Sequence, residues 1–294
     1  MEERKDNRRK GQGRDRGFGN RDPRPRYDRD NRKKDDRSFG SRQEIAEKPL
    51  LPEDMIIGRN PVTEALKAHK PIDALYVNRG AGGSIGVIIR LAKDNDIVVK
   101  ESDERTLSRM CGGASHQGVI ALCACAEYAD VEDILKASAE KGTKPFIIIC
   151  DGIEDPHNLG AIIRTAEAAG ADGIIIPKRH SAGLSSTVYK TSAGAAGVFP
   201  VARVSNIVQC IEELKEKGIW IYGTQMDAPS YTQCDLTGAA ALVIGSEGFG
   251  MSRLVREKCD FLVSLPMNGK INSLNASVAA GIFMYETVRQ RCCK

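Results

Sequence analysis

Three polar clusters in the second half of the chain hold the residue types that could do chemistry, each at the end of an apolar run. The first is Asp151-Gly152-Ile153-Glu154-Asp155-Pro156-His157-Asn158-Leu159-Gly160, leading to Arg164. The second is Val243-Ile244-Gly245-Ser246-Glu247-Gly248-Phe249-Gly250-Met251, and the third is Leu265-Pro266-Met267-Asn268 leading to Ser273-Leu274-Asn275-Ala276-Ser277. Together they supply a guanidinium, a carboxylate and two carboxamides, groups able to orient a polar substrate, neutralise developing charge and help move a proton. No His/Cys/carboxylate set has metal-ligand spacing, so chemistry without a metal is expected. The glycines of the second cluster run G-x-x-G-x-G rather than G-x-G-x-x-G, and occur late in the domain rather than at its first βα turn. A carboxylate there stands where a pyrophosphate would need backbone donors, and no Walker A sequence is present.

Such clusters act together only if the fold brings them to one place. Each reads as a strand that stops, turns on Gly or Pro and opens a helix, which is where open α/β sheets put their ligands. Candidate strands are Phe146–Cys150, Gly173–Pro177, Gly197–Val204, Ile219–Gly223, Ala241–Gly245 and Phe261–Leu265. Candidate helices are Asn158–Ala169, Ser185–Ala193, Asn206–Lys217, Ser252–Glu257 and Leu274–Arg291. Continuous runs such as Phe146-Ile147-Ile148-Ile149 suit strands covered on both faces, so the fold class is α/β with a parallel, doubly wrapped sheet over residues 145–294.

Residues 54–126 read as a smaller α/β unit. It opens with Met55-Ile56-Ile57 and a helix near Asn60 with Pro61 at its first position. Strands at Ala74–Val77, Ile97–Lys100 and Val119–Cys125 alternate with helices at about Gly83–Asp94 and Asp103–Cys111. Residues 127–144 form a polar linker with a short helix, Val131–Lys141. Residues 1–50 carry 17 Lys/Arg against 11 Asp/Glu, a net of +6 that exceeds the +4 of the whole 294-residue chain. Up to residue 44 they hold too little apolar surface to offset the entropy of folding, so the segment reads as a disordered Arg-rich tail. It suits either an electrostatic tether for RNA or a solubilising arm. No segment approaches the roughly 20 apolar residues of a membrane span, and no secretory h-region follows Met1. The 9 cysteines show no paired Cys-x-x-Cys spacing, so neither a zinc site nor a disulfide framework is expected. A soluble, cytoplasmic protein with reduced thiols is the resulting expectation.

The order and spacing of the three clusters resemble the signature motifs of the SpoU (TrmH-type, SPOUT superfamily) RNA ribose 2′-O-methyltransferases, from about Met55 onward. The resemblance implies a trefoil knot in the final strands and helix, a ribosomal-protein-like substrate-binding domain ahead of the catalytic one, and S-adenosyl-L-methionine as cofactor. It places Asn158, Arg164, Glu247 and Asn275 on the family's catalytic positions. The backbone at Gly245, Leu265 and Leu274, with Thr224 at the end of the preceding strand, falls on its cofactor-binding positions. His116, Gln117, Ser273 and Arg164 match positions suspected of touching RNA. It further implies a homodimer sharing its pocket, with the small residues of Ala276-Ser277-Val278-Ala279-Ala280-Gly281 and the Asn158 helix at the seam. The substrate it suggests is a guanosine of 23S ribosomal RNA, as in the RlmB-like subgroup, with transfer RNA as runner-up. A non-catalytic RNA-binding protein for ribosome assembly is the alternative from another class.

On residue types alone, Asn158 could simply cap the helix carrying Arg164 and Arg164 could simply pair with a carboxylate. Glu247 could favour a helix start, and Ser273 could be an N-cap with Asn275 in the first turn. A guanidinium normally keeps its proton, so Arg164 reads as an orienting and charge-stabilising group before it reads as a base.

Overall fold

A computed structural model describes residues 54–292, and the Arg-rich tail expected over residues 1–50 lies outside the described residues. The first elements are β1 (Met55–Ile57), α1 (Arg59–Lys67), β2 (Ile72–Asn78), α2 (Ile85–Asp94), β3 (Val98–Ser102), α3 (Glu104–Met110) and β4 (Val119–Cys123). They make a sheet of order β1-β4-β2-β3, with β2 and β3 parallel and β4 antiparallel to both β1 and β2. One face buries Leu75 and Val77 against Val62, Leu66, Ile85 and Ile88, while the other packs Ile120 on Leu107 and Cys111 of the α3 region. Helix α1 starts two residues earlier than its Pro suggests: Gly58 is the N-cap and Pro61 is the third helical residue.

After α4 (Val131–Glu140) the larger sheet begins. Its elements are β5 (Phe146–Asp151), α5 (Pro156–Ala168), β6 (Gly173–Pro177), α6 (Ser186–Thr191), β7 (Val201–Val204), α7 (Ile207–Glu216), β8 (Trp220–Thr224), β9 (Ala240–Gly245), α8 (Arg253–Lys258), β10 (Phe261–Val263) and α9 (Ala276–Cys292). The strand order is β10-β8-β9-β5-β6-β7 and every pairing is parallel. The uninterrupted apolar run of β5 is explained by its two coverings, since successive side chains point to opposite faces. Phe146, Ile148 and Cys150 pack toward α5 and α9, with Leu159, Ile162, Ala280, Phe283 and Met284, whereas Ile147 and Ile149 pack with Ile207, Ile211, Leu214 and Val255 of α7 and α8. The strand expected over Gly197–Val204 is shorter, because Ala195–Gly197 form a 3-10 turn after the left-handed Gly194 and the ladder begins only beyond Pro200.

The chain runs outward from β5 through β6 to β7, then returns so that β9 lies on the other side of β5. Strand order therefore reverses between β5 and β9, whose ends Asp151 and Gly245 are register partners. The connections leaving these two strands diverge, opening a crevice at the carboxyl edge where such sheets bind ligands.

A buried polar joint ties the small sheet to the large one. Asp73 of β2, 7% exposed, accepts hydrogen bonds from Tyr128 Oη at 2.5 Å and Arg203 Nη1 at 3.1 Å. Arg203 also donates to the Asp73 backbone carbonyl and lies over the Tyr128 ring. Burial pushes the Asp73 carboxyl above its ordinary range, against the opposing pull of Tyr128 and Arg203. Asp54 Oδ2 accepts from Ser186 N and Cys125 N donates to the Leu184 carbonyl, extending the joint.

Candidate active site

The crevice is built by three helix starts and turns. Helix α5 opens with Asp155 as N-cap, its side chain accepting from His157 N at 3.0 Å, and Pro156 at the first helical position. The expectation that Asn158 caps this helix is therefore corrected: the Asp-Pro pair does so, and a proline at the first position needs no donor of its own. Asn158 becomes the third helical residue, 8% exposed, with its side chain free for longer-range contacts.

Those contacts close a triangle. Asn158 Nδ2 donates to Glu247 Oε1 at 3.1 Å, and Asn275 Nδ2 donates to Asn158 Oδ1 at 2.9 Å. Asn275 Nδ2 also donates to Glu247 Oε1, which accepts Ala276 N at 3.2 Å as well. Asn275 Oδ1 takes the backbone N–H groups of Ser277 and Val278 at 3.0 and 3.3 Å, so Asn275 is the N-cap of α9 and Ser273, exposed and two residues earlier, is not. The carboxylate of Glu247 thus sits at the positive end of a 17-residue helix, where a negative charge is favoured. One oxygen of Glu247 is saturated by three donors while Oε2 accepts no hydrogen bond among the described residues. An anchored carboxylate with one free oxygen can accept a hydroxyl proton's hydrogen bond.

Arg164 is not in this triangle. Six residues beyond Asn158, it lies about 9 Å further along α5 and roughly 120° round it. It is exposed and makes no hydrogen bond or ion pair among the described residues. The single chain brings together Asn158, Glu247 and Asn275, and leaves Arg164 on another face of the same helix.

The expected cofactor positions gather at one edge, because β10, β8 and β9 are neighbours. Thr224 ends β8 with its Oγ1 donating to the Val243 carbonyl at 2.9 Å, Gly245 ends β9, and Leu265 follows β10. Leu274 stands just ahead of α9. Gly245 has to be glycine here, since a Cβ would collide with the Gly250–Met251 backbone folded back over it. One residue beyond Thr224, Gln225 Oε1 is the buried side-chain acceptor among the described residues that has no partner. An acceptor left unsatisfied costs free energy, and at this edge it fits an adenosine-type ligand bearing N–H and O–H donors. Nothing in the sequence marked Gln225, whose interest lies wholly in that missing donor. No His, Cys, Asp or Glu cluster able to hold a metal occurs among the described residues.

In the small domain, His116 is 5% exposed with Nδ1 accepting Gly118 N at 3.0 Å and Nε2 3.2 Å from both Ser108 Oγ and Glu104 Oε1. It holds the loop from inside. Gln117, with φ +51, uses its side-chain oxygen to accept Arg59 N at 3.1 Å, closing the start of α1. Arg59, Asn78, Glu104, Gln117 and Gly118 line a shallow polar cleft beside it.

Comparison with known proteins bears on this geometry. Residues 145–285 match the SpoU rRNA Methylase family, and residues 55–129 match the domain described as RNA 2′-O ribose methyltransferase substrate binding. YacO of Bacillus subtilis (strain 168), assigned by name to the TrmH family of tRNA/rRNA methyltransferases, is 50% identical over 240 residues, 81% of this chain and 96% of that protein. A Staphylococcus aureus (strain MSSA476) protein assigned to the same family is 46% identical over 243 residues, 82% of this chain and 98% of its own length. Among solved structures, the SpoU methyltransferase AviRb from Streptomyces viridochromogenes in complex with AdoMet is 26% identical, with a TM-score of 0.52 over 82% of this chain and 91% of that one.

Proposed function

The chain belongs to the SpoU (TrmH-type) family of RNA methyltransferases, and on that premise we propose that it methylates the ribose 2′-hydroxyl of a guanosine in 23S ribosomal RNA. Its cofactor is S-adenosylmethionine and its substrate is RNA. The observation that carries the hydroxyl as target is the Glu247 triangle at the strand-order reversal, with one carboxylate oxygen free beside the edge that suits the nucleoside. The 23S guanosine rests on the resemblance of the small domain and motifs to the RlmB-like subgroup. The 2′-hydroxyl as target is supported by the small domain, whose family description is substrate binding for RNA ribose 2′-O-methyltransferases.

S-adenosylmethionine, when bound, supplies an electrophilic methyl group on a sulfonium. Thr224, Gly245, Leu265 and Leu274 hold it at the edge of β8, β9 and β10. Glu247 Oε2 accepts the hydrogen bond of the incoming hydroxyl and so aims its oxygen, and Asn158 and Asn275 fix that carboxylate from both sides. Alignment of this kind lowers the barrier to an in-line displacement. As the oxygen–methyl bond forms and the carbon–sulfur bond breaks, the hydroxyl proton passes to Glu247 Oε2, and the Arg164 guanidinium neutralises the negative charge that builds on the oxygen and holds the neighbouring phosphate.

Because Arg164 faces away from its own chain's triangle, it serves the triangle of a second copy in a homodimer that shares the site. The seam runs along the exposed face of α9. Ala276 and Ala280 are buried in the chain's own core, whereas Val278, Ile282 and Tyr285 are 51%, 37% and 52% exposed. This apolar stripe at i, i+4 and i+7 is the surface a partner would cover. The small domain, with Gln117 and Arg59 at its cleft, and Ser273 in the loop before α9 contact the RNA. The basic tail adds sequence-independent attraction. No helix among the described residues is long and apolar enough to cross a membrane, and a cytoplasmic location is proposed.

The test is incubation of the purified chain with radiolabelled S-adenosylmethionine and unmodified 23S rRNA or tRNA transcripts. Methyl groups recovered in alkali-resistant dinucleotides of the ribosomal transcript support the reading. Transfer confined to tRNA moves the substrate to the runner-up, and transfer to a base overturns the ribose assignment.

A further inference from the structure

Phe249 is, at 96%, the most exposed of the large hydrophobic residues described. It stands in the turn that leaves β9 at the crevice, two residues from Glu247 and so within about 7 Å along the backbone. That turn is stiff. Ser246 N and Gly250 N donate to each other's carbonyls at 3.0 and 2.9 Å, and Ser246 Oγ adds a third bond to the Gly250 carbonyl at 3.1 Å. Gly248 and Gly250 adopt φ of +85 and +68, conformations other residues resist, and Glu247 is pinned by three donors. The ring is thus carried on a backbone already ordered with respect to the reacting group.

Single exposed apolar side chains are ordinary on protein surfaces. Here, however, neighbouring loops at the same edge repeat the feature: Met226 after β8 is 62% exposed and Ile271 after β10 is 64% exposed. The loops that leave three adjacent strands at this edge therefore each carry an exposed apolar side chain. A flat ring carried into water on a stiff turn, beside a ribose-binding group, fits a nucleobase. Bases stack on aromatic faces whatever their sequence, and a pre-ordered platform loses little entropy on contact.

We infer that Phe249 is a stacking platform for an RNA base at, or next to, the nucleotide whose ribose is offered to Glu247. This rests on the ribose-methylation reading and deepens it, adding a substrate-binding residue outside the polar triangle.

Phe249→Ala, Phe249→Leu and Phe249→Trp, each in the full chain, test it. Wild type and variants are assayed for steady-state methylation of 23S rRNA and tRNA transcripts, S-adenosylmethionine affinity and sedimentation. Stacking is worth about 1–3 kcal/mol per base, roughly 5- to 150-fold, so Phe249→Ala should raise the KM for RNA at least about five-fold. Cofactor affinity and oligomeric state should not change, tryptophan should restore the KM, and leucine should not. An unchanged KM overturns the inference, as does a loss traced to cofactor binding or to subunit dissociation, or a rescue by leucine equal to that by tryptophan. A wild-type chain that places no methyl on the ribose of either RNA refutes the functional reading, and the stacking role falls with it. Ribose methylation that survives Phe249→Ala with wild-type KM removes only the stacking role.

Discussion

Removing the carboxylate at the centre of the site should cost both stability and rate, and the structure sets the scale. Glu247 Oε1 accepts hydrogen bonds from Asn158 Nδ2, Asn275 Nδ2 and Ala276 N. In Glu247→Ala the Asn275 donor can turn to water, since Asn275 is exposed, whereas Ala276 N, on a residue 6% exposed at the start of α9, loses its partner. Asn158, 8% exposed, has no such recourse and its Nδ2 is left unsatisfied, a penalty of about 1–3 kcal/mol. Taking about 2 kcal/mol, and roughly 2–4 °C per kcal/mol for a unit of this size, the melting temperature should fall by about 4–8 °C. Glu247→Gln keeps an acceptor and should lose about half as much or less, since the bonds become neutral rather than charge-assisted. Both should reduce single-turnover methyl transfer, the alanine variant more. A double-mutant cycle with Asn158→Ala isolates the shared bond, and coupling of about 1 kcal/mol is expected. Zero coupling together with an unchanged melting temperature would refute the triangle, and full activity in Glu247→Ala would refute its placement against the substrate.

Four further outcomes follow from the same geometry. Arg164→Ala should abolish methyl transfer while leaving cofactor affinity within a few-fold, as measured by single-turnover assay and calorimetry; turnover near wild type would remove Arg164 from the chemistry. Saturating EDTA should leave the rate unchanged once RNA folding is controlled, and a strict Mg²⁺ requirement for the chemical step would point to another enzyme class. Ile282→Arg places a charge on the exposed stripe of α9 and should yield a folded monomer of low activity by light scattering, whereas Ala280→Arg, at a site 0% exposed, should fail to fold; a fully active Ile282→Arg monomer would sink the shared site. Cys150, whose thiol burial pushes up to about 12, should resist alkylation at pH 8 in the native state, and rapid mass-spectrometric labelling there would show that the β5 core opens.

The parallel sheet was legible because its signal is local: a short Ile run with no polar residue, bounded by Pro145 and Gly152, suits a strand covered on both sides. Helix starts were less so. Asn158 was credited with a cap that Asp155 makes, although Pro156 immediately after Asp155 was the better marker. Val198–Pro200 continued an apolar run that looked extended, yet the left-handed Gly194 turns the chain before it. The side chains of the triangle were identifiable as polar outliers, but their contact spans 89 residues from Asn158 to Glu247 and 28 from Glu247 to Asn275. No periodicity encodes pairings of that range. The outward direction of Arg164 was in principle readable from its six-residue spacing, whereas the buried, loop-supporting position of His116 depends on tertiary neighbours that no local pattern reveals.

The central claim is methyl transfer to a ribose at the Glu247 crevice, and alkali tests it most directly, since a 2′-O-methyl group blocks cleavage of the following phosphodiester. RNA from cells with and without the gene, hydrolysed in alkali and mapped for resistant positions, should differ at a single guanosine of 23S rRNA. The purified chain with S-adenosylmethionine should restore that position, and Glu247→Ala should not. Identical maps, or restoration by the Glu247→Ala variant at the wild-type rate, would contradict the account.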